Sequence, residues 1–122
     1  MSNEQEVRNI EISIESARAC VKTADCLRRL MTNPDFKDLI LEGYFKDECI
    51  RLVSLKAAHE MRDEEHQTYL VKAMDGIGSL QQYFNVINYA ADQAVRAIQD
   101  GEESLVELAQ EELRAEQEGE LS

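Results

Sequence analysis

The sequence predicts an all-α protein: an antiparallel helical hairpin or three-helix bundle built on a long, coiled-coil-like C-terminal helix. Three observations predict it. Apolar residues recur at three-and-four spacing over nearly the whole chain, the signature of helices with one buried face. A single proline, Pro34, interrupts 122 residues. Aromatic residues make up only 6%, without tryptophan, and no β-branched run alternates with polar residues as a sheet would require. The length suits one domain with a modest core, set here at residues 1–115, with 116–122 as an acidic tail.

The first helix is expected over about 3–32. Val7, Ile10, Ile14, Ala17, Val21 and Ala24 repeat at three and four, and the stripe then shifts to Leu27, Leu30 and Met31. Ile12 and Cys20 widen the face. Glu4, Glu6, Glu11 and Glu15 come early and Arg28 and Arg29 late, the order that complements a helix dipole.

Asn33-Pro34-Asp35 ends that helix, because a residue before proline is pushed out of helical dihedrals. Either Asn33 caps the next helix with Pro34 in its first turn, or Asp35 caps it with Asp38 three residues on. The tight connection makes the neighbours antiparallel. A second helix over about 35–58 carries Phe36, Leu39, Ile40, Gly43, Tyr44, Ile50, Val53 and Ala57 on overlapping rows, broadened by Phe45, Cys49, Leu52 and Leu55. Gly43 costs about 1 kcal/mol in a helix interior relative to alanine, and close approach of another helix would account for it.

The polar stretch His59–His66 connects to the third helix, with Asp63 as its cap and glutamates in the favourable first turn. That helix, expected over 63–115, holds the longest seam: Ala73, Ile77, Leu80, Phe84, Ile87, Ala91, Ala94, Ile98, Gly101, Leu105 and Leu108 alternate steps of four and three. A kink is expected near Gly76 and Gly78, and a weak point at Gly101. The third helix outreaches the second, so its far end must pair with the first helix or with another copy of the chain. Beyond Arg114 no apolar face remains, and the acidic tail is expected to be frayed and disordered.

Net charge is −12. Binding to nucleic-acid phosphates or to an anionic membrane is disfavoured, because both need lysine and arginine. No apolar run approaches a membrane span, and the N-terminal segment is polar rather than a signal peptide. Cys20, Cys26 and Cys49 form no CxxC pair and fall among helical apolar positions, which suits thiols used for packing in a reducing cytoplasm.

Catalytic motifs fail on inspection. Asp63 and His66 share a helix face, yet no second Asp/Glu-x-x-His exists to complete a two-metal bundle site. His59-Glu60-Met61-Arg62-Asp63 has aspartate where a zinc-peptidase motif needs histidine. Asp75-Gly76-Ile77-Gly78 lacks both the strand and the third glycine of a dinucleotide loop. No enzyme activity, metal or cofactor is expected. A partner surface is expected at Phe36, Tyr44, Tyr83, Asn88 and Tyr89, since tyrosine combines an apolar body with a polar tip. Glu107, Glu111, Glu112 and Glu116 are the candidate acidic contacts for a basic protein.

The segment Asn33-Pro34-Asp35-Phe36, Leu39-Ile40-Leu41-Glu42-Gly43-Tyr44-Phe45 and Arg51-Leu52-Val53 resembles small helical proteins of tailed bacteriophages encoded among virion-structure and assembly genes. The resemblance covers roughly Asn33 to Ile98 and brings no catalytic residue with it. It implies an accessory protein made in the cytoplasm of a bacterial host, with a virion structural protein as partner and incorporation into the particle as a further option. Self-association is expected separately, from the overhang of the third helix. The alternative reading of the charge is an acidic inhibitor that occupies a basic, nucleic-acid-binding host protein.

Overall fold

The computed structural model describes residues 3–121, and Met1, Ser2 and Ser122 lie outside the described residues. All elements are helical: α1 (Asn3–Met31), a short α2 (Pro34–Phe36), a π-helix (Lys37–Asp47), α3 (Glu48–Ala57), a 3-10 turn (His59–Met61) and α4 (Glu64–Leu121). The chain divides into two compact units, one of Met1–Ala24 with Asn88–Ser122 and the other of Asp25–Ile87. Both α1 and α4 contribute to each.

In the first unit the N-terminal part of α1 meets the C-terminal part of α4. Ile14, Ala17, Ala24 and Ala94 are its buried residues. A Cβ built on Gly101 would stand 2.8 Å from Cγ1 and 3.0 Å from Cδ1 of Ile14, and 3.4 Å from Cγ2 of Ile10. Gly101 is therefore a point of close approach, and α4 runs through it without a break. Nearer the N-terminus, residues from Asn3 to Glu11 line a recess with Glu112. The two segments thus run antiparallel, and α1 supplies the pairing that the far end of α4 requires.

In the second unit Leu52 from α3 and Leu70 and Ile77 from α4 form a core, with Tyr44, Phe45, Cys49, Leu55, Met61, Ala73 and Met74 packed around it. Asn33 settles the choice of cap: its side chain accepts from the Phe36 N–H at 3.0 Å, with Pro34 in the first turn where a missing N–H costs nothing. The α4 helix passes through Gly76 and Gly78, and the Tyr44 hydroxyl lies 3.6 Å from where a Gly76 Cβ would stand.

The second helix departs from expectation. Between Lys37 and Asp47 it is a π-helix with an i→i+5 ladder, and the Glu48 N–H still donates to the Gly43 carbonyl. The aromatic rings supply the reason. Phe36 and Phe45 both pack on Phe84, with ring centroids 6.1 and 5.9 Å away. Nine residues make about two and a half turns of an α-helix, which sets them on opposite faces. Only the wider π turn brings both rings to one side. The inward row becomes Phe36, Ile40, Phe45 and Cys49, at steps of four and five. Leu39, which an α-helical register would turn inward, is 72% exposed instead.

Gly43 follows from the same geometry. The atom nearest to an added Cβ is the Asp38 carbonyl oxygen, at 3.0 Å, and not another helix. That oxygen belongs to the stiff π ladder, five residues back. Gly43→Ala is expected to lower the melting temperature despite alanine's higher helix propensity. Gly78→Ala, with nothing within 4 Å of the new methyl, is expected to stabilise by about 0.5–1 kcal/mol. Thermal denaturation of the two variants checks the opposite signs.

The C-terminal end also differs. Helix α4 continues past residue 115 to Leu121, where the sequence suggested a frayed tail. The residues from Glu111 to Glu120 are all exposed. Local helix propensity, high for Glu, Ala, Gln and Arg, favours helix through this stretch.

Candidate functional site

Of the residues expected at a partner surface, Phe36 and Tyr44 are half-buried in the second unit and used internally. Phe36 packs on Phe84, and Tyr44 stacks beside Phe45 with centroids 6.0 Å apart. Tyr83, on the same unit, is exposed and leans on Phe84 at 6.2 Å. The apolar side chains this segment presents to solvent are others: Leu39, and on α3 Ile50 (60% exposed) and Val53 (59%). Ile50 and Val53 stand three residues apart on one helix face. The sequence sets Ile50 and Val53 on the principal rows with Cys49, Leu52 and Leu55 beside them, whereas the structure buries Leu52 and leaves Ile50 and Val53 in solvent.

In the first unit Asn88 and Tyr89 are both exposed. Glu107, Glu111, Glu112 and Glu116 are exposed along α4, together with Val106 and Leu113. Arg18 of α1 reaches Glu102 at 3.5 Å, a surface pair that contributes little to stability.

The connection before α4 is held by its polar residues. Asp63 caps α4 as the sequence predicts: Oδ2 accepts from the His66 N–H at 3.1 Å, and the carbonyl accepts from the Gln67 N–H at 3.0 Å. The His66 ring Nδ1 lies against Asp63 Oδ1. The ring contact first, and the backbone donor second, hold the Asp63 carboxyl below its usual range. Gln67 Nε2 donates to the carbonyls of Lys56 (3.0 Å) and Met61 (2.7 Å), tying the start of α4 to groups left open at the end of α3 and in the turn.

These contacts explain Asp63 and His66 as a helix start. A lowered carboxyl stabilises the fold fully above its unfolded value of about 4, and that contribution disappears as pH falls through the lower folded value. The melting-temperature advantage of the wild type over Asp63→Asn is expected to shrink between about pH 5 and pH 3. Equal differences at both ends would sink the assignment. On α3, Glu48 and Arg51 form an exposed pair in which the guanidinium holds the Glu48 carboxyl low and is itself pushed up.

Cysteine placement is mixed. Cys20 and Cys49 are half-buried and pack as expected, whereas Cys26 is exposed and accepts from Arg29 Nη2 at 3.2 Å. Among the described residues no group of three or more His, Cys, Asp or Glu could hold a metal ion, and no helix is long and apolar enough to cross a membrane. No protein-family profile, no curated protein and no solved structure matches the chain.

Proposed function

We propose that the chain is a non-enzymatic protein–protein interaction protein, an assembly or chaperone-like accessory factor for a virion component of a tailed phage. The observation that carries this reading is the set Leu39, Ile50 and Val53, exposed to solvent on the 34–57 segment. Exposed apolar side chains of this size are the means by which a helix face recognises a partner. They fall inside the stretch that resembles the phage proteins, which supports a virion structural protein as the partner. In this reading the long α4 serves as the spine of a helical hairpin or three-helix arrangement. The compartment is the cytoplasm of an infected bacterium, or the particle itself.

The test is co-expression of the tagged chain with capsid, portal and tail proteins one at a time, followed by affinity purification. Recovery of one of them, lost in Ile50→Asp/Val53→Asp, is the expected result. Both side chains are exposed, so the double variant keeps its fold. Recovery that is indifferent to these substitutions would remove the 34–57 segment from the interface.

The exposed glutamates of α4 favour a second reading, an acidic inhibitor of a basic nucleic-acid-binding host protein. Ionic strength separates the two. An inhibitor held by charge loses affinity steeply as salt rises, and an apolar helix contact does not.

A further inference from the structure

The last third of α4 carries a second surface, chemically distinct from the one on the 34–57 segment. Val106 and Leu113 are 56% and 57% exposed, and Ala109, exposed as well, stands between them. The three sit at steps of three and four, so they form one row along the helix. This row is separate from the half-buried Leu105 and Leu108, which belong to the seam. Glu102 and Glu103 lie one turn before Val106, and Glu112 and Glu116 bracket Leu113. Val106 and these first glutamates line a shallow recess with Gln99 and Glu107. From 102 to 120 the helix holds eight glutamates against one arginine.

We propose that this face docks a basic amphipathic helix of a partner protein, whose apolar row packs on Val106, Ala109 and Leu113 while lysines or arginines on its flanks meet the glutamates. Charge selects this occupant. A second copy of the same face would set glutamate against glutamate, so self-pairing here is disfavoured. A nucleic acid or an anionic lipid surface is repelled for the same reason. A purely apolar helix would leave the glutamates desolvated without partners. A basic helix with one apolar row satisfies both chemistries at once, and α4 offers it a preformed helical template.

The surface lies in the first unit and the Leu39, Ile50 and Val53 set in the second. Loss of one interaction therefore leaves the other measurable.

The experiment uses the full chain and a fluorescent synthetic helical peptide with leucines at three-and-four spacing and lysines on both flanks. Fluorescence anisotropy near physiological salt reads the affinity. Val106→Ser/Leu113→Ser is expected to weaken binding about tenfold or more, from loss of the apolar contact. Glu103→Gln/Glu116→Gln is expected to weaken it at low salt and flatten its salt dependence. All four side chains are exposed, and far-UV circular dichroism confirms that each variant is folded.

The proposal is overturned by no binding of the peptide, by equal binding by the serine double variant, or by equally tight binding of unpatterned oligolysine. The last would reduce the face to non-specific charge attraction. Concentration-dependent self-association that is abolished by Val106→Ser/Leu113→Ser would assign the row to a second copy and equally overturn it.

Discussion

Replacing Leu70 with alanine is expected to lower the free energy of unfolding by about 2–5 kcal/mol. Leu70 is 0% exposed, and with Leu52 and Ile77 it forms the only trio of fully buried large side chains among the described residues. For a chain of 122 residues, the usual range of total stability is about 6–18 kcal/mol. One truncation thus removes a sizeable share, and the second unit has no other fully buried leucine on α4 to compensate. The surrounding Tyr44, Phe45, Met61 and Met74 are only partly buried. Some collapse around the vacancy is open to them, which sets the cost within the range and not above it. Urea denaturation reads the effect as a fall in midpoint at unchanged slope.

The same measurement tests the π register. Leu39→Ala is expected to change stability by no more than about 0.5 kcal/mol, as for other surface substitutions. Phe45→Ala is expected to cost about 3 kcal/mol, since Phe45 packs both on the core and on Phe84. An ordinary α-helix through this segment would invert the two results. That inversion is the outcome that would reject the wider ladder.

The two residues also mark where the sequence was legible. Every position of the α4 seam, from Ala73 to Leu108, is buried or half-buried. Steps of three and four identify such a face without further information, because α4 keeps α-helical geometry throughout. The caps at Asn33 and Asp63 were legible for the same kind of reason: side-chain oxygen, position and first-turn composition are all local. The π segment was not. Its apolar residues fit α-helical rows and π-helical rows alike, and the decision is made by Phe84, some forty residues away in sequence. Once the register changes, Phe36 and Phe45 become core partners and Leu39 becomes surface. Phe36 and Tyr44, expected on a partner surface, are half-buried in the second unit. Tyr83, Asn88 and Tyr89, on a helix of ordinary geometry, are exposed.

Gly101 carries the second large effect, and its sign is the reverse of the one a propensity scale assigns. Alanine at an exposed helix interior position stabilises by about 1 kcal/mol relative to glycine. Here the new methyl would stand 2.8 Å from Cγ1 of Ile14, a residue only 6% exposed. Ile14 has little room to turn away, and overpacking of this kind costs about 1–3 kcal/mol. Gly101→Ala is therefore expected to be destabilising, and Gly101→Leu more so.

A double-mutant cycle isolates the cause. Ile14→Ala alone leaves a cavity and is expected to cost about 2–5 kcal/mol. Combined with Gly101→Ala, the extra methyl enters the vacated space, so the double variant should be more stable than the sum of the two losses predicts. The coupling should exceed about 0.5 kcal/mol, the limit within which independent sites add. Additive losses would mean that Gly101 and Ile14 do not touch in solution, and the antiparallel pairing of α1 with the end of α4 would lose this contact. A glycine that reads in the sequence as a flaw in a long helix is, by this account, what allows α1 to approach α4 closely enough for Ile14 and Ala17 to be buried.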